Sequence, residues 1–592
     1  MPGTGSRASG SFFPLLSPFC FLFVSFLRKR FCFLAFFSCP RYHKIRKNTG
    51  KETLMNFQFD PLSCRYPSRR TVTYGTRGMV CAAQPLAAQA GLDIMKQGGN
   101  AFDGILAAAA CMMLMEPMSC NMGGDGFALI WHEGKLYGLN ASGPAPMLLS
   151  LDALKKAGYT EMPRLGWGAV TVPGVTSGWA EINRRFGSMP LSDILAPAIS
   201  YAREGFPVAP VASQLWKNSF RNLNRDLPEE QFSAWASVFA PDRRPPEAGS
   251  VFRAPAFGDT LEELARTGCE SFYRGAIADA IDAFSRKTGG YIRKEDLASY
   301  HARWVEPITT NYRGYDVWEM PPNGHGLVVL MALNILEGFD LSAGHEDPGT
   351  LHLLIEAMKL AFADGKRYIA DPDAMKASIR RLLSKEYAGS RRSLIGNEAL
   401  DPVPGDPYCG DTVYLCAADG AGNMVSYIQS TYAGFGSGIS LPGTGIVFQN
   451  RGNGFTMDET RENCVGPGKR PYHTIIPGFL TKDGKPVGPF GVMGGFMQPQ
   501  GHLQVLTNMI DFHMNPQEAL DAPRFMWTSE KNIQLEYGFG PDTAGVLSRM
   551  GHSVQIPAGS LMLGRGQIIL RDDAGTLCGA SEPRTDGMAA AW

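Results

Sequence analysis

Thr412 stands directly behind an acidic residue, Asp411, where the Pro- and Gly-rich stretch "DPVPGDPYCGD" gives way to the apolar run 413–418. The stretch reads as a loop and the run as a strand. A hydroxyl at such a strand edge is a poor nucleophile until a base takes its proton. A cut between Asp411 and Thr412 would supply that base from the same residue. The new α-amine has a reference pKa of about 7.7–8.0, so a useful fraction is neutral near pH 7. Attack of Thr412 on the Asp411 carbonyl, through an ester that water hydrolyses, would make the cut. The chemistry read here is acyl transfer by a threonine that is nucleophile and base at once.

Spacing places a second hydroxyl nearby. If the turn is "DGAGN", centred on residue 421, position 418 faces 424 and 412 faces 430. Opposed residues of an antiparallel pair hold their Cβ atoms about 4.5–5.5 Å apart. Ser430 then lies beside Thr412, able to bond its hydroxyl or its nitrogen. The same register also describes a plain cross-strand Thr–Ser pair, which needs no function. Acyl transfer further requires donors for an oxyanion. "GPFGVMGGFMQPQGH" offers the unobstructed backbone N–H groups of Gly494 and Gly495 after a strand-like stretch. Taken alone, that Gly-Gly is a turn.

Several elements must position these groups. "QPLAAQAGLDIMKQGGNAFDGILAAAACMMLMEP" reads as two Ala-rich buried helices split by Gly-Gly. "FALIWHEGKLYGLNAS" reads as a hairpin turning at Glu133-Gly134. "PGVTSGWAEINRRFGSMPLSDILAPAISYAREGF" gives two more helices, and "PGTLHLLIEAMKLAFADGKRYIAD" a long amphipathic one ending near Asp371-Pro372. Strands follow over 412–418, 424–432, 445–449 and 474–480, then a helix over about 501–513 and a hairpin near 567–578. Many helices and many consecutive strands imply an α+β fold with antiparallel sheets.

Composition excludes several classes. The chain has 592 residues, 44% hydrophobic, enough for a large core; length alone would allow about four domains. The formal net charge is +0, with Lys and Arg scattered, which gives no reason to expect nucleic acid as a partner. No G-x-x-x-x-G-K-[ST], G-x-G-x-x-G or G-x-S-x-G occurs. No H-E-x-x-H or paired Cys/His spacing occurs either, so no metal is expected. There are 12 Cys without a C-x-x-C, several inside apolar runs, which fits buried free thiols of a reducing, cytoplasmic setting. The head, 1–54, is rich in Phe and Leu, and its apolar run is broken by Arg28-Lys29-Arg30. It lacks the order of a signal peptide and the length of a membrane span. Translation from Met55 is the expectation, with export or membrane anchoring as the alternative.

Together these segments resemble the γ-glutamyltransferase family, the glutathione hydrolase proenzymes, a branch of the N-terminal-nucleophile hydrolases. The resemblance runs from about residue 60 to 592. It is carried by "PLAAQAGLDIMKQGGNAFD", "NMGGDGF", "EAMKLAFADGKRYIADPD", "GDTVYLCAADGAGN", "FGSGI", "GPGKRPYHTIIP" and "GASEPR". It implies a four-layer αββα sandwich with two stacked, mainly antiparallel sheets. It implies a precursor that cuts itself into a large subunit, 55–411, and a small catalytic one, 412–592, which together form one fold. Those two subunits and a small-molecule amide or γ-glutamyl substrate are the implied partners, with higher oligomers left open. No cofactor is required. Thr412 matches the nucleophile, Ser430 the hydroxyl that steadies it, and Gly494 and Gly495 the oxyanion-hole glycines.

The departures bear on substrate. The family grips the γ-glutamyl α-carboxylate with an Arg where this chain has Ser142, and the α-amino group with an acid where it has Gly454. The family's Ser-Ser pair matches His473-Thr474, and an Asn near the pocket matches Tyr432. Thr474 keeps a hydroxyl, while both charged contacts are lost, and a site missing such partners rejects a charged ligand by several kcal/mol. His473 could act as an extra acid, a substrate donor, or a hydrogen-bonded wall. Two enzymatic readings follow, hydrolysis or transfer of a γ-glutamyl group and cleavage of an amide without the amino-acid head. A third, of another class, is a binding or scaffold protein on an inactive enzyme fold.

Overall fold

The computed structural model describes residues 70–402 and 411–592. The head over 1–54 and most of the loop before Thr412 lie outside the described residues. Among the described residues, two seven-stranded sheets dominate. In chain order their strands are β1 (Thr73–Gly75), β2 (Gly78–Ala82), β3 (Asp125–His132), β4 (Lys135–Ala141), β5 (Arg303–Val305), β6 (Ile308–Tyr312) and β7 (Tyr315–Glu319). They continue with β8 (Asp411–Asp419), β9 (Met424–Tyr432), β10 (Gly478–Lys482), β11 (Lys485–Met493), β12 (Arg565–Arg571), β13 (Leu577–Ser581) and β14 (Met588–Ala591). One sheet runs β14-β2-β8-β9-β3-β4-β5 and the other β1-β13-β12-β11-β10-β7-β6, every pair antiparallel. The first sheet thus draws strands from both sides of Thr412.

Side-chain parity along β8 assigns the layers, because successive residues face opposite ways. Val413, Leu415 and Ala417 pack with Ile105, Leu106 and Ala109 of helix α2 (Ala101–Met115), which lies against α1 (Pro85–Lys96). Tyr414, Cys416 and Ala418 face the other way and meet Phe479, Met493 and Ile569 of the second sheet. The outer face of that sheet, with Phe490, Val492 and Ile568, packs on α3 (Gly326–Leu336), α4 (Pro348–Tyr368) and α5 (Met497–Ile510). The result is the four-layer αββα sandwich that the resemblance implies. With both faces of β8 covered, its uninterrupted apolar run is what burial demands. The same parity turns Thr412 into the space between the sheets.

Several sequence-based boundaries move, and the strand expected over 445–449 is Ile446–Val447 alone. The segment 474–480 is a strand only from Gly478. Before that, the His473 N–H bonds the Asn323 carbonyl at 2.8 Å. The Ile475 N–H bonds His473 Nδ1 at 3.4 Å and the Ile476 N–H bonds Gln498 Oε1 at 3.0 Å, so side chains replace the ladder. Helix α5 begins at Met497, not near 501, because Pro499 falls in its first turn, where the missing N–H has no intrahelical partner to lose. Helix α4 ends at Tyr368, short of Asp371-Pro372. The seven described cysteines are free thiols, and six of them are buried.

The stretch leading into the loop before Thr412 is pinned by buried polar groups. His352 Nε2–H donates to the Gly396 carbonyl at 3.0 Å, which leaves Nδ1 to accept from His552 Nε2 at 2.9 Å. Glu356 accepts from the Leu400 N–H at 3.1 Å and from buried Lys359 at 2.8 Å. Lys359 also reaches the Leu400 carbonyl at 3.1 Å.

Candidate active site

Thr412 is fully buried, and its Oγ1 lies 3.0 Å from Ser430 Oγ. The hairpin pairs Ala418 with Met424 and continues in that register to Val413–Gln429. There it shifts, and the next pair is Asp411–Tyr432. Thr412 therefore stands opposite two residues, Ser430 and Thr431. Such a bulge re-aims side chains and bends its strand. It ends at Tyr432, which takes the left-handed backbone value φ 78°. The Tyr432 N–H folds back to donate to Ser430 Oγ at 2.8 Å, which holds the serine hydroxyl against Thr412.

The second sheet supplies the next contact. Strand β11 ends at Met493, and Gly494 and Gly495, at φ 139° and 59°, turn the chain into α5. A Cβ on Gly494 would press to 3.3 Å on both Gly564 Cα and Met497 Cβ, so the turn needs glycine on grounds of space and of backbone angle. The first turn of α5 carries Gln498, whose Nε2 lies 3.5 Å from Thr412 Oγ1. The Gly-Gly turn and its N–H groups are thus tied to the threonine through α5.

A charged cluster flanks the hydroxyl pair. Arg451 is buried; Nη2 donates to Ser430 Oγ at 3.3 Å and Nη1 to Thr474 Oγ1 at 2.7 Å. Its guanidinium carbon sits 4.3 Å from the centre of the Tyr432 ring, a cation–π contact. Burial lowers its pKa to about 10, so it stays charged at neutral pH. Asp125, at the start of β3, lies 4.0 Å from Arg451 Nε. Burial raises the Asp125 carboxyl to about 7 against the pull of Arg451 and Arg470. His473 Nε2 meets Asp125 Oδ2 at 3.0 Å. Burial, then Arg451 and His325, drive the His473 pKa well down, so a neutral imidazole donates to the carboxyl there. Its Nδ1 accepts from Ile475, so both ring nitrogens are engaged away from Thr412.

The residues singled out for substrate contact divide in two. Thr474, Tyr432 and His473 join the cluster around Arg451. Ser142 is buried and bonded inward: Oγ donates to Asn140 Oδ1 at 2.7 Å, and its carbonyl accepts from Arg470 Nε at 3.0 Å. Gly454 closes a short 3-10 turn from Arg451, where a Cβ would fall 2.5 Å from the Tyr472 carbonyl oxygen. An acid at 454 would have to displace backbone.

Arg451, Asp125, Gln498 and Arg470 were not singled out from sequence. Three lie inside segments quoted above: Arg470 in "GPGKRPYHTIIP", Asp125 in "NMGGDGF" and Gln498 in "GPFGVMGGFMQPQGH", while Arg451 opens "RGNGFT", three residues before Gly454. For Asp125 and Arg451 the available signal was a lone charge in a Gly-rich motif. The inventory of charges around the pocket is corrected accordingly. Arg470 bonds the Ser142 carbonyl and Arg451 opens the turn that Gly454 closes, so two guanidinium groups stand beside the positions expected to lack charged contacts.

Two face-to-face antiparallel sheets between helical layers, with a threonine between them at the edge of a strand, place the protein among the N-terminal-nucleophile hydrolases. The family is narrower still. The gamma-glutamyltranspeptidase model matches residues 87–592, and the chain belongs to that family. It is 35% identical over 527 residues to the glutathione hydrolase-like YwrD proenzyme of Bacillus subtilis, covering 87% of this chain and 98% of that one. It is 36% identical over 530 residues to the oxamate amidohydrolase proenzyme of Klebsiella pneumoniae, covering 87% and 99%. The crystal structure of cephalosporin acylase from Bacillus halodurans superposes with a TM-score of 0.86 at 54% identity, covering 90% of this chain and 99% of that one. This protein is accordingly an amide-cleaving hydrolase, made as a precursor that is cut into a large and a small subunit. Among the described residues no helix is long and apolar enough to cross a membrane.

Proposed function

We propose that the precursor cuts itself between Asp411 and Thr412 and that Thr412, as the new first residue of subunit 412–592, forms the acyl-enzyme. The observation that carries this reading is the 3.0 Å contact of Thr412 Oγ1 with Ser430 Oγ at the bulge. The Thr412 α-amine takes the proton of its own Oγ1 as the oxygen adds to the amide carbon. Ser430 steadies Oγ1, and the N–H groups of Gly494 and Gly495 receive the oxyanion. The amine leaves with the proton, and water releases the acyl group. The large subunit, 55–411, keeps its share of the first sheet, so cutting does not separate the two. A denaturing gel and terminal sequencing test this. All 592 residues uncut have a mass of 64.3 kDa, an uncut chain begun at Met55 is lighter by the head, and in either case the small fragment should begin Thr-Val-Tyr-Leu. Thr412→Ala should leave one uncut, inactive chain; normal cutting in that variant would defeat the reading.

For the substrate, the structure favours an amide without the γ-glutamyl head. Gly454 leaves no room for the acid that would hold an α-amino group, and the Ser142 hydroxyl is already bonded within the protein. The relatives named for oxamate and cephalosporin are in keeping with such chemistry. Glutathione hydrolysis is the second reading, carried by the YwrD likeness. An assay of the cut enzyme on a γ-glutamyl anilide beside simple acyl amides separates them, and turnover of the anilide alone would favour the second. The buried free thiols support placing the protein in a reducing compartment, the cytoplasm.

A further inference from the structure

We propose that His352, Glu356 and His552 bind a divalent transition metal ion, zinc by the chemistry of the donors, and that the ion ties the large subunit to the small one.

His352 and Glu356 stand one turn apart on one face of α4, and His552 follows the helix Pro541–Arg549. All three side chains are buried. His352 Nδ1 lies 2.9 Å from His552 Nε2, which lies 3.7 Å from Glu356 Oε1. The three residues can bring their donor atoms within 4.8 Å of one another. Zinc holds nitrogen and carboxylate oxygen at about 2.0–2.2 Å, which sets tetrahedral ligands about 3.4 Å apart. The separations here bracket that value, so small rotations seat an ion between the three. Two imidazoles and a carboxylate suit zinc, whereas calcium and magnesium take oxygen ligands.

The groups behind the donors fit as well. A metal-bound histidine commonly gives its other N–H to a backbone carbonyl or a carboxylate. His352 Nε2–H does so with Gly396 at 3.0 Å, which leaves Nδ1 as the lone-pair nitrogen. Glu356 Oε2 accepts from the Leu400 N–H at 3.1 Å, and Oε1 is the oxygen beside His552. Among the described residues His552 Nδ1 has no hydrogen-bond partner. No neighbour therefore fixes the His552 tautomer, and its proton passes to Nδ1 when Nε2 turns to a metal. Lys359 is the opposing charge, its Nζ 2.8 Å from Glu356 Oε1. It also holds the Leu400 carbonyl at 3.1 Å, and Asp401 acts on its charge, so it keeps partners when Oε1 turns to the ion. Leu400 and Asp401 line an open cavity of about 570 Å³, which brings solvent up to the cluster.

For any cut between 356 and 552, the helical pair belongs to one subunit and His552 to the other. A bound ion would span the two and, through His352 and Glu356, hold Gly396 and Leu400 in place. The site does not depend on which residue is the nucleophile. Its third ligand comes from a distant segment, so no local spacing of His and Cys betrays it.

The test uses the whole cut protein, made without a histidine tag and stripped with a chelator. Zinc is titrated by calorimetry, and cobalt(II) by visible absorption. A single ion should bind, cobalt with the strong absorption of a four-coordinate site. Saturating zinc should raise the melting temperature and slow proteolysis around 396–402. His552→Gln and Glu356→Gln should each weaken zinc binding by about 100-fold or more and abolish the rise in melting temperature. Lys359→Met removes the opposing charge and should tighten binding by about 10-fold or more. Circular dichroism and the cut pattern on a gel separate folding of each variant from binding. A wild-type protein that binds no zinc would overturn the site without any variant. Zinc binding that is unchanged in both His552→Gln and Glu356→Gln would also overturn it.

Discussion

Gln498 reaches Thr412 from the first turn of helix α5, its Nε2 3.5 Å from the threonine Oγ1 while its Oε1 accepts from the Ile476 N–H at 3.0 Å. One amide thus joins the nucleophile to the backbone that carries His473 and Thr474. Gln498→Leu should lower kcat by about 10- to 100-fold with little change in KM, because the donor acts at the reacting oxygen. Steady-state kinetics on any turned-over amide checks it, and an unchanged kcat would reduce Gln498 to packing.

The Ser430 hydroxyl accepts from Tyr432 N–H and Arg451 Nη2 while it contacts Thr412. Ser430→Ala removes that acceptor and the support for Thr412 together. Self-cutting should slow by about 10-fold or more, followed as loss of the full-length band over time. Ser430→Thr should recover part of the rate.

Asp125 predicts a pH effect with a definite sign. Its carboxyl is raised from 3.8 to about 7, so the folded chain holds a proton that the unfolded chain has released. Its contribution to stability is therefore full below about pH 4, falls as pH rises towards 7 and is lost above that. Asp125→Asn should flatten the difference in melting temperature between about pH 5 and 8. The facing groups in this balance are Arg451, Arg470 and neutral His473.

Restoring an acid at 454 should fail. In Gly454→Asp the Cβ meets the Tyr472 carbonyl oxygen at 2.5 Å, a backbone atom that cannot swing aside. The expected cost is about 1–3 kcal/mol, read by denaturant unfolding, with no gain of activity on a γ-glutamyl anilide. Stable, γ-glutamyl-active protein would show that the segment relaxes.

His352→Ala should loosen the stretch before the cut site. The change leaves the Gly396 carbonyl and His552 Nε2 without their buried partner, at about 1–3 kcal/mol. Limited proteolysis should find new cleavage around 396–402, and a wild-type digestion pattern would count against the anchoring role.

Much of the hairpin was legible in sequence because its determinants are local. A short turn between two apolar runs sets the pairing of 418 with 424, and the two-residue period carries that register to Val413–Gln429. Thr412, Ser430 and the Gly494-Gly495 turn follow from such short-range rules, as do the paired Ala-rich helices. The bulge was not legible, because one extra residue opposite Thr412 leaves no mark in the polarity pattern.

What the amino-acid order determined by itself is the hydroxyl pair and the strand that bears it, since neighbours in sequence are held there by one turn. Which charges surround that pair was decided only by the tertiary structure. Asp125, Arg451 and Gln498 come from three distant segments, and each reads as an ordinary polar residue until the sheets close over it. Burial then raises an acid, leaves a guanidinium short of partners and brings an amide to a threonine, because removing water makes every remaining polar contact count.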